Sequence, residues 1–366
     1  MIGPSDFYNS LLENKFSFFT GVPDSLLKGF CACIPNDKHI AAANEGNALS
    51  IACGYNIATS NYGVVYMQNS GLGNIINPLL SLADEKVYKI PMLLIIGYRG
   101  EPGVKDEPQH ITQGRLTIPL LDVLGIKYFI LSDNYQTQIK NCYDYIKADN
   151  KPVALIVRKG TFSSYSNSSY DSSYELSREK ALEIIIKNLS NDDFIVSTTG
   201  KTSREIFEIR EKLNKNHSHD FLTVGSMGHT SSLALGMSLF TDKNIYCIDG
   251  DGAFLMHMGG LAVAIQNAKD NFKYIVINNG CYESVGSQPL THMNIPQILK
   301  AFGFVKVFSV STENELKDAL FSLKHNEKTA LVINTNSQSR KNLGRPTITP
   351  LNNKEDFMME LKKTKT

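Results

Sequence analysis

Residues 250–261 read GDGAFLMHMGGL, and the elements on either side of them decide the fold. Just upstream, NIYCI (244–248) is apolar and β-favouring, and downstream AFLMHMGGLAVAIQNA (253–268) carries apolar residues at mixed helical spacing. The pattern predicts a strand, a tight turn and the start of a helix. Backbone N–H groups and the helix dipole favour an anion at such a point. Asp251 sits there and would repel one unless a cation lies between. A metal ion bound to a phosphate resolves the conflict.

The same strand-then-helix rhythm runs through the chain. FSFF, HIAAA, GVVYM, PMLLIIG, KYFIL and PVALIV are expected strands before residue 163; FIVST, FLTVG, NIYCI, FKYIVI, VKVFSV and TALVI repeat the rhythm after residue 174. Between them SSYSNSSYDSSY (163–174) has no apolar aliphatic residue to anchor it in a core and reads as a linker. With 366 residues the chain is long enough for two cores. The expected fold class is therefore α/β, with doubly wound parallel sheets in two domains, 1–162 and 175–366. A faint internal echo agrees: with residues 50–80 set against 232–261, Ser50, Gly54 and Thr59 match Ser232, Gly236 and Thr241, and one gap brings NSG onto GDG.

Charge narrows the partners. Thirty-seven basic and 36 acidic residues leave a formal net charge of +1, so no global field draws the chain to nucleic acid or to an anionic membrane. No run approaches a membrane span, and the opening MIGPSDFYNSLLENKF lacks a basic segment followed by a long apolar stretch, so a cytoplasmic protein is expected. The six cysteines form no C-x-x-C pair and have no histidine at zinc spacing; they are expected to be buried reduced thiols. A dinucleotide-binding oxidoreductase would need a G-x-G-x-x-G turn after its first strand, which is missing.

Twenty-eight residues after Asp251 comes Asn279, in KYIVINNGCYES, again at the end of an apolar strand. Two strand ends would offer one hard cation a carboxylate and an amide oxygen, and the Cys281 carbonyl would add a third ligand, leaving diphosphate oxygens and water to complete an octahedron. GDG and NN at this separation resemble the signature of thiamine diphosphate enzymes, in which Mg²⁺ holds the cofactor's diphosphate. Further segments extend the likeness: TGVPDSLLKGF (20–30), NEGNA (44–48), YRGEPGVKDEPQHITQGR (98–115) and SRKNLGRP (339–346) resemble the phosphonopyruvate decarboxylase family, next to sulfopyruvate decarboxylase, over nearly the whole chain. The chain also departs from larger pyruvate decarboxylases as that family does. It has no middle domain, a single His110 follows Gln109, and Val285 stands six residues after Asn279 where those enzymes place a glutamate.

The resemblance implies the thiamine diphosphate-binding fold, with a pyrimidine-binding first domain and a diphosphate-binding second. It implies thiamine diphosphate and Mg²⁺ as cofactors, and decarboxylation of 3-phosphonopyruvate to phosphonoacetaldehyde in the biosynthesis of 2-aminoethylphosphonate and other phosphonates. Glu45 would hydrogen-bond the aminopyrimidine; its plainer reading is a complement to the dipole of the helix it opens. Thr199 and Gly200 would meet the diphosphate, with Gly250, Asp251, Gly252, Ala253 and Asn279. Gly225, Ser226 and Met227 would hold the pyrimidine, although Met227 alone reads as core. Asp24 and His110 would move protons; their plainer readings are a helix cap and a structural loop residue. Asp24, Ser25, Lys105, His110 and Arg115 would meet the substrate, Lys105 and Arg115 suiting its phosphonate. Arg340, Lys341 and Arg345 form a second basic cluster, readable also as a solvated tail. The family further implies a homo-oligomer with sites at subunit interfaces. Sulfopyruvate decarboxylase is the near rival, and a non-catalytic partner subunit on the same scaffold the distant one.

Overall fold

The structure, a computed structural model, describes residues 1–165, 172–324 and 328–363. The chain divides into two compact units, Met1–Ser169 and Tyr170–Thr366. Residues 166–171, the centre of the segment expected to be a linker, lie outside the described residues.

The first unit carries β1 (Phe19–Gly21), β2 (His39–Ala41), β3 (Gly63–Gln68), β4 (Met92–Gly97), β5 (Lys127–Ile130) and β6 (Val153–Val157) in one sheet, ordered β2-β1-β3-β4-β6-β5. Every pairing in it is parallel. The second unit carries β7 (Phe194–Ser197), β8 (Asp220–Leu222), β9 (Ile245–Gly250), β10 (Phe272–Asn278), a short antiparallel pair β11 (Cys281–Tyr282) and β12 (Gln288–Pro289), then β13 (Lys306–Val310) and β14 (Thr329–Asn334). Its main sheet, also parallel throughout, runs β13-β14-β10-β9-β7-β8. Counted within each unit, both sheets follow the order second, first, third, fourth, sixth, fifth. The echo between the halves therefore falls on equivalent elements: the helices Glu45–Thr59 and Thr230–Ser238 each precede a third strand, and NSG follows one while GDG starts at the last residue of the other.

Burial explains why these strands were legible. β4 and β6 are buried along their whole length, and β3 and β10 at every residue but the last. That is the pattern of central strands covered by helices on both faces, and it demands near-continuous apolar runs. Each fully buried Val, Leu or Ile contributes about 1.5–3 kcal/mol.

Several boundaries differ from expectation for local reasons. β1 starts at Phe19, because Phe16 N–H bonds Leu11 O and Lys15 adopts a positive φ to close the preceding helix. β8 stops at Leu222, since Gly225 and Ser226 have positive φ and turn the chain away. No turn separates β9 from its helix: the strand runs to Gly250 and the helix Asp251–Met256 begins at the next residue, breaking at His257 before a second helix, Met258–Asn267. Residues 98–115, expected as a loop around His110, become helical from Pro108, which fills the first-turn position that proline tolerates. All six cysteines are free thiols, five of them buried. Among the described residues no helix is long and apolar enough to cross a membrane.

In each unit the third strand lies on the opposite side of the first from the second. The carboxyl ends of β1 and β3, and of β7 and β9, therefore flank a point where the winding reverses. Open parallel sheets bind ligands at such points.

Candidate cofactor and catalytic sites

In the second unit Asp251 is the first residue of its helix and is 4% exposed. Its Oδ1 accepts from Gly252 N (2.8 Å), and Oδ2 accepts from Asn279 N (3.0 Å) and Gly280 N (2.7 Å). Burial outweighs these donors and pushes the carboxyl up to about 6. Asn279 Oδ1 in turn accepts from Cys281 N at 3.2 Å, so the turn that carries Asn279 and Cys281 after β10 is tied to Asp251 at the end of β9. Burial pushes the Cys281 thiol up to about 12, and the ligand expected from this residue is its backbone carbonyl. Among the described residues no group of three or more His, Cys, Asp or Glu side chains could hold a metal ion. The donor set here is one carboxylate, one amide and one carbonyl, which suits a hard cation that keeps ligand oxygens and water.

The expected diphosphate and pyrimidine segments converge on the same strand ends. Thr199 Oγ1 accepts from Gly225 N at 2.9 Å, and Gly200 caps the helix Lys201–Lys212. A Cβ on Gly252 would lie 2.8 Å from the Tyr282 ring and 3.5 Å from Met227 Cε, so only glycine fits there, and Met227 borders the GDG segment. Ala253 and Ser226 lie in these same two segments, Ala253 buried in the helix.

A buried ion network stands behind this site. Arg178 binds Glu205 in a fork (2.7 and 2.8 Å) and Glu283 at 2.6 Å, while Lys201 Nζ reaches Glu283 at 2.5 Å and Ser339 at 2.6 Å. Burial works against ionisation of Glu283, but Arg178 and Lys201 prevail and hold its carboxyl below the usual range. None of this was legible, since Arg178 and Glu283 stand 105 positions apart. The basic tail is also placed: Arg340 pairs with Glu179 at 2.8 Å and with Glu208, and Arg204 donates to the carbonyls of Leu343 and Gly344. Arg340 is thus spent on structure, while Lys341 and Arg345 are exposed.

In the first unit Glu45 opens the helix Glu45–Thr59, where Asn44 accepts from Asn47 N as the cap. The carboxylate is 5% exposed, and its Oε2 accepts from Asn74 Nδ2 at 2.7 Å. A Cβ on Gly71 would come within 2.5 Å of it, so that glycine makes room for the acid. Asp24 is fully buried between the ends of β1 and β3: Oδ1 accepts from Gln68 Nε2 (2.7 Å) and Oδ2 from Leu26 N (3.0 Å). It does not cap the helix Lys28–Ala32, whose N-cap is Leu27. Burial raises its carboxyl above the usual aspartate value against the pull of Gln68, Leu26 and Arg99.

His110 is buried on the helix Pro108–Val123, whereas Lys105 is exposed before it and Arg115 exposed on it. Five residues turn a helix by about 140° beyond one full circle, so His110 and Arg115 point to different faces. The cation that does meet the Asp24 neighbourhood is one the sequence did not single out. Arg99 Nη1 donates to Ser25 Oγ at 2.9 Å, and its Nε and Nη2 bind Asp106 at 2.8 and 2.5 Å.

Comparison with known proteins bears on this arrangement. Residues 3–120 match the thiamine pyrophosphate enzyme N-terminal TPP binding domain, and residues 198–334 the C-terminal TPP binding domain. The chain is 30% identical over 376 residues to phosphonopyruvate decarboxylase of Streptomyces viridochromogenes, covering 96% of this chain and 92% of that protein. It is 29% identical over 378 residues to the enzyme of that name from Streptomyces hygroscopicus, with coverage of 96% and 92%. Against sulfopyruvate decarboxylase of Methanosarcina acetivorans it is 25% identical over 317 residues, covering 79% of each chain. With both cofactor-binding domains matched and this similarity extending over nearly its whole length, the chain belongs to the thiamine diphosphate-dependent decarboxylases, in the family that includes phosphonopyruvate decarboxylase.

Proposed function

We propose that the enzyme decarboxylates 3-phosphonopyruvate to phosphonoacetaldehyde and CO₂, using thiamine diphosphate and Mg²⁺, as a step in phosphonate biosynthesis. The carrying observation is the similarity to phosphonopyruvate decarboxylase as a single chain of matching length, 30% identical over 96% of this chain and 92% of that protein. In this reading residues 1–162 bind the pyrimidine, 175–366 the diphosphate, and 163–174 join them.

Loss of CO₂ from a 2-oxo acid leaves an electron pair on carbon, and the cofactor's thiazolium supplies the sink for it. The chain's residues do the rest. Asp251, Asn279 and the Cys281 carbonyl would hold Mg²⁺, the three-donor turn already described being suited to it. Thr199, Gly200 and the segment 250–253 would face the diphosphate, with Gly225, Ser226 and Met227 against the pyrimidine. Glu45 would bond the aminopyrimidine. Asp24, kept protonated to higher pH by burial, can give a proton to the carbon that lost CO₂, with His110 as its partner in proton movement. The exposed Lys105 and Arg115 would draw a substrate that carries both a carboxylate and a phosphonate towards the site.

Sulfopyruvate differs by one formal charge at the distal group, and the similarity to sulfopyruvate decarboxylase favours it as the second reading. With thiamine diphosphate and Mg²⁺, CO₂ release should be fastest per active site from phosphonopyruvate and slowest from pyruvate. Equal or faster use of sulfopyruvate overturns the substrate assignment. A non-catalytic partner subunit would be expected to have lost Glu45, Asp251 or Asn279, and all three are present.

The enzyme is further read as a homo-oligomer whose sites draw on two subunits. Inside their own units, Cβ atoms on the helical glycines Gly54, Gly73, Gly236 and Gly259 would meet nothing within 4 Å. Glycine in an open helix position costs about 1 kcal/mol against alanine, a cost that close packing on another chain would offset. Inactive Glu45→Ala and Asp251→Ala proteins, mixed under conditions of proven subunit exchange, should regain part of the parent activity. Exchange seen by mass spectrometry with no activity returning would rule this out.

A further inference from the structure

We infer that Arg99 binds the distal acidic group of the substrate, with Asp106 holding the guanidinium in place and the Ser25 hydroxyl completing the anion site. The inference rests on the reading of the enzyme as a decarboxylase of a 2-oxo acid that carries a second, anionic group.

Position comes first. Arg99 lies two residues beyond the end of β4, next to β3, and so beside the point where the first sheet reverses its winding. Its backbone is tied to the end of β3: Arg99 N donates to Asn69 Oδ1 (3.2 Å), and Asn69 Nδ2 donates to Arg99 O (2.7 Å) and to Thr117 Oγ1 (2.8 Å). A residue fixed there by main-chain and side-chain bonds presents its side chain at one place rather than sampling a loop.

The side chain is fixed as well. Asp106 takes the guanidinium in a fork and also accepts from Gly100 N and Glu107 N, both at 2.8 Å. The pair is only 20% and 10% exposed at its side chains, so it differs from an ordinary surface ion pair held by two mobile chains. Three of the five guanidinium N–H groups go to Asp106 and Ser25; among the described residues the other two, one on each Nη, face no bonded partner. Ser25 accepts from Arg99 and so has its own O–H to give. Two N–H groups and one O–H beside Asp24 form a donor set for a tetrahedral anion, and an arginine held in advance loses little freedom on binding it. Lys105 and Arg115, the cations nearest in sequence to His110, are exposed and lack such fixing.

The test uses cofactor-loaded enzyme and 3-phosphonopropionate, which keeps the distal dianion but has no ketone to react. Arg99→Gln should weaken its binding, measured by calorimetry, by about a hundredfold, the size expected for losing charge-assisted hydrogen bonds at a partly buried site. KM for phosphonopyruvate should rise comparably with kcat changed far less, kcat/KM for pyruvate should stay near the parent value, and Arg99→Lys should recover part of the loss. Because removing Arg99 leaves Asp106 unpaired, Arg99→Gln/Asp106→Asn serves as the variant that keeps the charge balance. It should show the same selective loss while unfolding near the parent temperature. Equal loss for pyruvate and phosphonopyruvate, or unchanged 3-phosphonopropionate binding in the folded double variant, overturns the inference. A parent enzyme that prefers sulfopyruvate would defeat the proposed substrate yet leave this inference standing, provided that the Arg99 variants lose sulfopyruvate selectively.

Discussion

Asp251→Ala should abolish Mg²⁺-dependent binding of thiamine diphosphate, with calorimetry showing affinity weakened by well over about a hundredfold, more than is usual for loss of a group that only supports a ligand. The reason lies in the charge arithmetic of the turn. The carboxylate is the one anionic donor in a set otherwise made of an amide and a carbonyl, and without it a divalent cation is left with neutral protein oxygens beside an anionic diphosphate. The backbone N–H groups of Gly252, Asn279 and Gly280 would also lose their acceptor, so the turn that presents Asn279 would loosen. A variant that binds cofactor as tightly as the parent would show that the cation is held elsewhere. The parent protein carries a second signature. Without metal, burial places the Asp251 carboxyl at about 6, so protons compete with Mg²⁺ below that value and not above it. Metal affinity should therefore fall about tenfold for each pH unit below about 6 and level off above it, and Asp251→Ala should remove that slope.

How far such a site can be read in advance depends on whether its parts are contiguous. GDG was legible because Asp251 interrupts a strand-to-helix junction that the neighbouring apolar residues define, and Asn279 because it ends the next apolar run. The central sheet strands were legible for the same reason: a strand covered on both faces, as β3, β4, β6 and β10 are, must be written in apolar residues. Their ends were harder, since β1 and β8 are set by one hydrogen bond to a preceding helix and by a turn at positive φ. The helical setting of His110 was masked by Gly and Pro nearby, although Pro108 at a first helical turn was a usable sign. Arg99, Gln68 and Glu283 left no such trace. They meet partners 74, 44 and 105 positions away, Ser25, Asp24 and Arg178, and although Arg99 also pairs with Asp106 seven positions on, no pattern distinguishes these residues from surface polar ones.

Glu45→Gln should leave the cofactor bound yet slow exchange of the proton at its thiazolium C2 by about 10²–10⁴-fold, the range lost when a positioned acid–base group is removed. The two halves of that expectation have separate structural grounds. Binding should survive because glutamine keeps the size of glutamate: its amide oxygen can still accept from Asn74 Nδ2, and the absent side chain of Gly71 leaves the same space for either residue. Exchange should fail because a neutral amide cannot stabilise a protonated aminopyrimidine as a carboxylate does, and a site that is only 5% exposed admits little water to take its place. The helix-dipole reading of Glu45 makes a different forecast. If the carboxylate only complemented the N-terminus of the helix Glu45–Thr59, glutamine would cost a fraction of a kcal/mol in stability and leave exchange untouched. Following the C2 proton by NMR in D₂O, with cofactor occupancy measured on the same sample, separates the two. Parent-like exchange at full occupancy would remove Glu45 from the chemistry, whereas slow exchange at full occupancy with an unchanged unfolding temperature assigns it to proton transfer at the bound cofactor.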